Sequence, residues 1–191
     1  MMRRDELRDK ALDYFLEHGL AELSLRPLAQ QIGTSARLLA YHFESKEKLI
    51  MAVMETVRNR VQESVTTLMQ AASGKVALEA IWQWMTDAQN VPYVRLLFEV
   101  QVLALQHPTT YARYLSDSSA SWLDVIEHGI PASAQRRTIA TLCSAVIDGL
   151  ALDYISTGNL DQTTASLKYF VRLLGQQPDP IQRQENDSHE R

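Results

Sequence analysis

Ser24–Lys46 reads SLRPLAQQIGTSARLLAYHFESK, and the fold turns on how its Gly33-Thr34-Ser35 break is read. Ser24 stands where an N-cap belongs for a short helix from Leu25 to Ile32, and Pro27 is tolerated because the first turn lacks internal N–H partners. Gly33 ends that helix, and Ser35 is positioned to cap another through His42. Two short helices joined by a glycine turn, the second opening on small polar residues, make the pattern of a helix-turn-helix DNA reader, here about residues 24–43. The same spacing also occurs as a plain structural corner, so the side chains around the turn must decide between the two.

Those side chains favour DNA. Thr34, Ser35 and Ala36 open the second helix, where free N–H groups and the positive dipole end attract phosphate and small side chains permit close approach to base edges. Arg37 follows with a planar fork that matches guanine O6 and N7. One turn on, Tyr41 and His42 offer a hydroxyl and an imidazole to phosphate. Lys46 places a positive charge at a helix start, where the dipole disfavours it unless a phosphate is near. Ser24 and Arg26, at the head of the preceding helix, complete the candidate DNA-binding set. Phe43, Leu38 and Leu39 read as core, while Tyr41 is open between a half-buried core position and a phosphate ligand.

Outward from this stretch the periodicity is helical almost everywhere, and runs of alternating β-branched residues are missing, which predicts an all-α chain. A first helix, about Arg3 to His18, carries Leu7, Ala11, Tyr14 and Phe15 on one face and stops at Gly19. Ser45 caps a long helix from Lys46 to about Ala72 with a stripe of Leu49, Val53, Val57, Val61, Val65 and Leu68. Further helices are expected over Lys75–Asn90, Tyr93–Gln106, Thr109–His128 with a break near Ser116–Ser119, and Ala132–Ser156. A last helix follows a cap at Asp161. This gives about nine helices: a helix-turn-helix domain over 1–46, a C-terminal domain over 47–175 and a polar tail over 176–191.

Composition narrows the function classes. The 191 residues are 46% hydrophobic and 22% charged, enough for a sizeable core, and a single cysteine, Cys143, excludes an internal disulfide and a cysteine-based zinc site. No uninterrupted apolar run approaches ~18 residues, and the N-terminus MMRRDELRDK is charged, so a cytoplasmic address is expected. Residues 1–60 hold ten Lys/Arg against nine Asp/Glu, whereas the remainder holds nine against fourteen, a polarity that suits an anion-binding end on an acidic body. There is no HExxH, glycine-rich phosphate loop or GxSxG, so no catalytic residue, metal or cofactor is expected. His18, His107 and His128 stand at helix ends, where the dipole explains them.

The run LRDKALDYFLEHGLAELSLRPLAQQIG followed by TSARLLAYHFESKEKLI resembles the N-terminal domain of the TetR family of bacterial transcriptional regulators. The matching points are Gly19, Ser24, Leu28-Ala29, Gly33, Ser35, His42-Phe43, and Lys46 with Leu49. The family's leucine-tyrosine pair falls on Leu39-Ala40, and the tyrosine stands one place later at Tyr41. The resemblance implies a nine-helix, two-domain homodimer joined through its last two helices, with a cavity for a small-molecule effector among the middle ones. It implies double-stranded DNA as a partner and, most simply, a repressor released by its ligand from a palindromic operator.

The residues of the C-terminal part leave more open. Ser144, Ala145 and Gly149 would let the helix over Ala132–Ser156 approach a copy of itself, and Phe170 and Leu174 extend the candidate dimer interface; the same stripe also suits the chain's own core. Trp82, Met85, Phe98, Tyr111 and Trp122, with Met69 and Tyr114, are candidates for an apolar ligand pocket or for ordinary core. Glu99 and Asp148 interrupt apolar stretches and need partners, either a bound cation or polar ligand or an internal arginine such as Arg95 or Arg113. Two other functions compete with regulation: a small all-α enzyme built on the aromatic cavity, and a helical protein-binding adaptor. The second leaves Arg37, His42 and Lys46 without a task.

Overall fold

The computed structural model describes residues 3–71, 74–130 and 132–175, with the side chains of 74–75, 113, 115 and 117–121 outside that description. Among the described residues nine α-helices follow one another and no strand occurs: α1 (Arg4–His18), α2 (Leu25–Gln31), α3 (Ala36–Phe43), α4 (Lys46–Ala71), α5 (Gly74–Thr86), α6 (Val91–Gln106), α7 (Pro108–His128), α8 (Arg136–Thr157) and α9 (Leu160–Leu174). The predicted tail, 176–191, lies outside the described residues.

The three N-terminal helices are held by a core that their own periodicity dictates. Leu7, Ala11 and Phe15 on α1, Leu28 on α2, and Leu39 and Phe43 on α3 are buried, and they meet Leu49, Ile50 and Val53 from α4. α4 runs roughly 39 Å at the usual helical rise. Its stripe of Val53, Met54 and Val57 is fully buried, and Val61 and Val65 continue it, so one helix belongs to both the N-terminal core and the C-terminal bundle. α4 packs on α1, α3, α5, α6 and α7, and α8 packs on α5, α6, α7 and α9. The core is continuous from Leu7 to Val171.

Several boundaries differ from the sequence expectation for local reasons. α5 ends at Thr86, because the Asp87 carboxylate accepts the Gln89 N–H at 2.8 Å and turns the chain before α6 begins at Val91. α7 is unbroken through Ser116–Ser119. α8 starts at Arg136 instead of Ala132. Asn159, not Asp161, caps α9 by accepting the Gln162 N–H at 3.1 Å. Ser45 opens α4 as expected, its hydroxyl accepting the Lys48 N–H at 3.2 Å.

α8 leaves much of its apolar surface uncovered. By length and composition it is apolar enough to cross a membrane, with a mean hydropathy of 1.5 over an 18-residue window, yet only 22% of that window is buried by the rest of the chain.

Candidate nucleic-acid interface and ligand cavity

The turn between α2 and α3 is fixed by backbone bonds. Gly33 sits at φ +72°, and nothing lies within 4 Å of where a Cβ would be, so backbone conformation alone demands glycine there. Thr34 N–H donates to the Ala29 carbonyl at 2.8 Å and Gly33 N–H to Gln30 at 3.3 Å, the paired bonds of a Schellman stop. The chain restarts at once, because Ser35 Oγ accepts the Leu38 N–H at 3.1 Å. Ser24 differs from expectation: its hydroxyl makes no capping bond. The reason lies three residues on, where Pro27 has no N–H to give.

This geometry sorts the residues of α3 by face. Leu39 and Phe43 point into the core, with the Arg4 guanidinium 5.0 Å over the Phe43 ring. Arg37 and Tyr41, one turn apart, share the outward face with Ala40. Tyr41 is 73% exposed and edge-on to His42 at 5.1 Å, which excludes the core reading of this tyrosine. Arg37 and Arg26 are exposed and make no ion pair among the described residues. Ala36, Thr34 and Lys46 are half-buried beside them. Thr34 Oγ1 and His42 Nε2 are enclosed without a hydrogen-bond partner among the described residues. Such atoms cost ~1–3 kcal/mol each when left unpaired, a cost that an added acceptor or donor recovers.

A second site lies in the bundle. Helices α4 to α8 enclose a cavity of about 370 Å³, within the range of small-molecule pockets. Of the residues proposed from sequence, Met85, Phe98, Trp122 and Asp148 line it, as does Tyr114. Ala145, a candidate for the dimer, also lines it. Trp84, Leu97, Gln101 and Ser144 line it too and were not foreseen as pocket residues. Trp84 carried a usable signal, since it lies two residues from Trp82 and therefore on another face of the same helix.

Four of the proposed pocket residues, Trp82, Tyr111, Glu99 and Met69, are not among those lining it. Trp82 is buried in the core, with its indole N–H donating to Thr164 Oγ1 at 2.9 Å, so it ties α5 to α9. Tyr111 is buried near the start of α4, where burial first and the Glu47 carboxylate second push its phenol above the ordinary value. Glu99 turns toward α1. Its Oε2 accepts the Leu20 N–H at 2.5 Å, while Oε1 pairs with Arg95 at 3.4 Å. Arg95 in turn donates to the Leu16 carbonyl at 2.6 Å. The pair thus clasps the C-terminal end of α1, and α6 presents Leu97, Phe98 and Gln101 to the cavity from the same turns. Met69 packs against Gly129. The Arg113 side chain lies outside the described residues.

Asp148 stays in the cavity wall. Ser144 Oγ donates to its Oδ2 at 3.2 Å. The residue is exposed, yet the surrounding atoms still desolvate the carboxyl and raise its pKa, with the Ser144 bond opposing. No cluster of three potential metal ligands occurs among the described residues.

Of the residues proposed for the dimer, Ala145 and Gly149 lie on the uncovered face of α8 and α9, whereas Phe170 and Leu174 do not. Phe170 and Leu174 are half-buried against the chain's own core. The exposed apolar side chains are Leu142, Leu152, Tyr169 and Leu173, and the small residues Ala145 and Gly149 lie exposed among them.

A helix-turn-helix with a free arginine on its outward face, carried on a helical bundle that encloses a cavity, defines the class: a helical transcriptional regulator. The comparisons agree. Residues 7–53 match the family described as bacterial regulatory proteins, tetR family. The HTH-type transcriptional repressor KstR2 of Rhodococcus jostii (strain RHA1) is 26% identical over 142 residues, 72% of this chain and 70% of that protein. The HTH-type transcriptional regulator BetI of Paraburkholderia xenovorans (strain LB400) is 26% identical over 182 residues, 87% and 89% respectively. The fold is shared with a transcriptional regulator from a Rhodococcus species, at a TM-score of 0.77 and 20% identity over 90% of this chain and 95% of that one. It is shared also with a putative transcriptional regulator from Saccharomonospora viridis in complex with choline, at a TM-score of 0.72 and 18% identity over 88% and 95%. Over residues 7–53 the chain thus carries the N-terminal domain of the TetR family of bacterial transcriptional regulators, and relatives along most of its length are transcriptional regulators.

Proposed function

We propose that the protein is a ligand-responsive, DNA-binding repressor that acts in the cytoplasm as a homodimer on a palindromic operator and is released by a small molecule. The observation that carries this reading is the junction of two sites through shared helices. α4 begins at Lys46 beside the outward face of α3 and lines the cavity with Val61 and Val65. α6 lines the same cavity and holds the end of α1 through Arg95 and Glu99. A ligand that repacks these helices reorients residues 1–46, the DNA-binding unit, relative to residues 47–175, the effector and dimer unit.

On DNA, Arg37 reads a base, while Thr34, Ser35, Ala36, Tyr41, His42 and Lys46 meet the backbone, with Ser24 and Arg26 flanking. The enclosed Thr34 and His42 atoms gain partners when phosphate arrives. Two copies place their recognition helices in successive major grooves ~34 Å apart, and the uncovered face of α8 and α9 supplies the pairing surface. Ligand and DNA then weaken one another reciprocally, typically by ~5- to 150-fold. That one neighbour of this fold was solved with choline supports a small-molecule effector as a class.

Selection from a random duplex library at low salt, followed by sequencing, tests the reading. A palindromic site should be enriched, and its affinity should fall steeply with salt. The absence of any enriched site would refute DNA regulation.

A further inference from the structure

Among the described residues that line the cavity, Asp148 is the one with a charged side chain, and no lysine, arginine or histidine answers it. Its recorded hydrogen bond comes from Ser144, a neutral hydroxyl one turn back on the same helix. The same cavity wall carries the rings of Trp84, Phe98, Tyr114 and Trp122, and aliphatic side chains fill most of the rest. Asp148 is exposed, so water offsets part of its charge in the empty cavity, but a guest that fills the cavity displaces that water, and the carboxylate then costs free energy unless a counter-charge reaches it. Aromatic faces attract cations that come within ~6 Å of the ring centre. An anion would meet like charge with no compensating cation in the described wall. A neutral guest would leave the carboxylate unanswered. Both features of the wall therefore select the same sign of charge, and the cavity's volume admits an apolar body as well as a charged head.

We propose that the cavity binds an amphiphilic organic cation, its ammonium-type head beside Asp148 and its apolar body among Trp84, Phe98 and Trp122, an inference that rests on the ligand-responsive reading above. Asp148 sets the charge, the rings set the shape, and Gln101 and Thr141 offer neutral polar contacts at the same wall. Head and body act together: a small inorganic cation would satisfy Asp148 and leave the apolar wall empty.

The test titrates the full-length protein with three benzyl probes, benzyltrimethylammonium, its neutral carbon isostere neopentylbenzene and the anion phenylacetate, each followed by tryptophan fluorescence. The cation should bind at least about tenfold tighter than the isostere. Asp148→Asn should weaken the cation roughly ten- to thirtyfold and leave the isostere unchanged, which also shows that the cavity is intact in the variant. Equal affinity for cation and isostere, tightest binding of phenylacetate, binding of none of the three, or indifference of the cation to Asp148→Asn would each overturn the inference. Release of the selected operator DNA separates this inference from the reading beneath it. A cation that binds through Asp148 and leaves DNA bound upholds the cation site and refutes ligand responsiveness. A neutral or anionic probe that binds tightest and releases DNA upholds responsiveness and refutes the cation site.

Discussion

Gly19→Ala probes the clasp between α1 and α6 and has a magnitude that the structure supplies. Gly19 lies at φ +74°, ψ −168°, a region nearly closed to other residues, where a side chain costs ~1–3 kcal/mol. The new Cβ would also stand 2.8 Å from both carboxylate oxygens of Glu99. The carboxylate must therefore move, and it loses the hydrogen bond from Leu20 N–H. A bond to a charged group contributes ~1.5–3 kcal/mol, so the substitution should cost roughly 2.5–6 kcal/mol in total. In a Glu99→Ala background the steric conflict and the bond are both already gone, and only the backbone cost of ~1–3 kcal/mol remains.

The four proteins of this cycle are compared by urea unfolding at one protein concentration, since the stability of the proposed dimer would depend on concentration. The coupling between the two positions should be ~1.5–3 kcal/mol, with Gly19→Ala milder when Glu99 is absent. Additivity within ~0.5 kcal/mol would refute the clasp as an energetic contact. It would also remove α6 from the route between cavity and DNA-binding helices and leave α4 as the connection.

Other predictions follow from single side chains. Arg37→Ala should cost about 1–3 kcal/mol and relax preference at one operator position, whereas Lys46→Ala should weaken all sequences alike and lower the salt slope by about one; equal weakening by Arg37→Ala across sequences would refute base readout. Leu152→Arg, at a residue 51% exposed on α8, should yield monomers in sedimentation without unfolding the chain. Phe170→Ala should instead lower thermal stability, because that ring is half-buried in the protomer's own core. Desolvation raises the Asp148 pKa, with the Ser144 hydrogen bond opposing. A raised folded-state value means that the protonated form favours folding and that this contribution is lost as pH rises through it. Asp148→Asn should therefore melt higher than the parent at neutral pH, with the gap closing as pH falls into the ordinary carboxylate range. A gap independent of pH would refute the desolvated carboxyl.

The DNA-binding end was legible because its signals are local. A left-handed glycine, a serine three residues before a free N–H and apolar residues at helical spacing state the turn within a dozen positions. Where local rules were applied incompletely they failed: Ser24 fits the capping preference, but the proline at its third following residue removes the donor the cap would use. Tyr41 was ambiguous for a related reason. Its place on α3 is one step from the buried Phe43 stripe, and only the packing of α3 on α4 settles that Leu39 and Phe43 turn inward and Tyr41 outward.

The bundle resisted because composition does not say which way a helix is turned. Trp82 and Trp84 are chemically alike and two residues apart, yet one bonds Thr164 across the core and the other faces the cavity. Glu99 and Asp148 looked equivalent as carboxylates in apolar runs, but α6 carries Glu99 to a backbone N–H at the end of α1, and α8 carries Asp148 into an aromatic wall. The distinction has a physical consequence. Glu99 is compensated by Leu20 and Arg95 and serves as a fixed tie between two parts of the chain. Among the described residues Asp148 is met by one neutral hydroxyl and by no cation. A cation that completes Asp148 draws on α8 and on the rings of α5, α6 and α7, and α6 is the helix whose other face holds Glu99. Under the proposed function, α6 is therefore the helix through which a charge placed in the cavity is felt at Arg37, because it lines the cavity with Phe98 and ties α1 through Glu99.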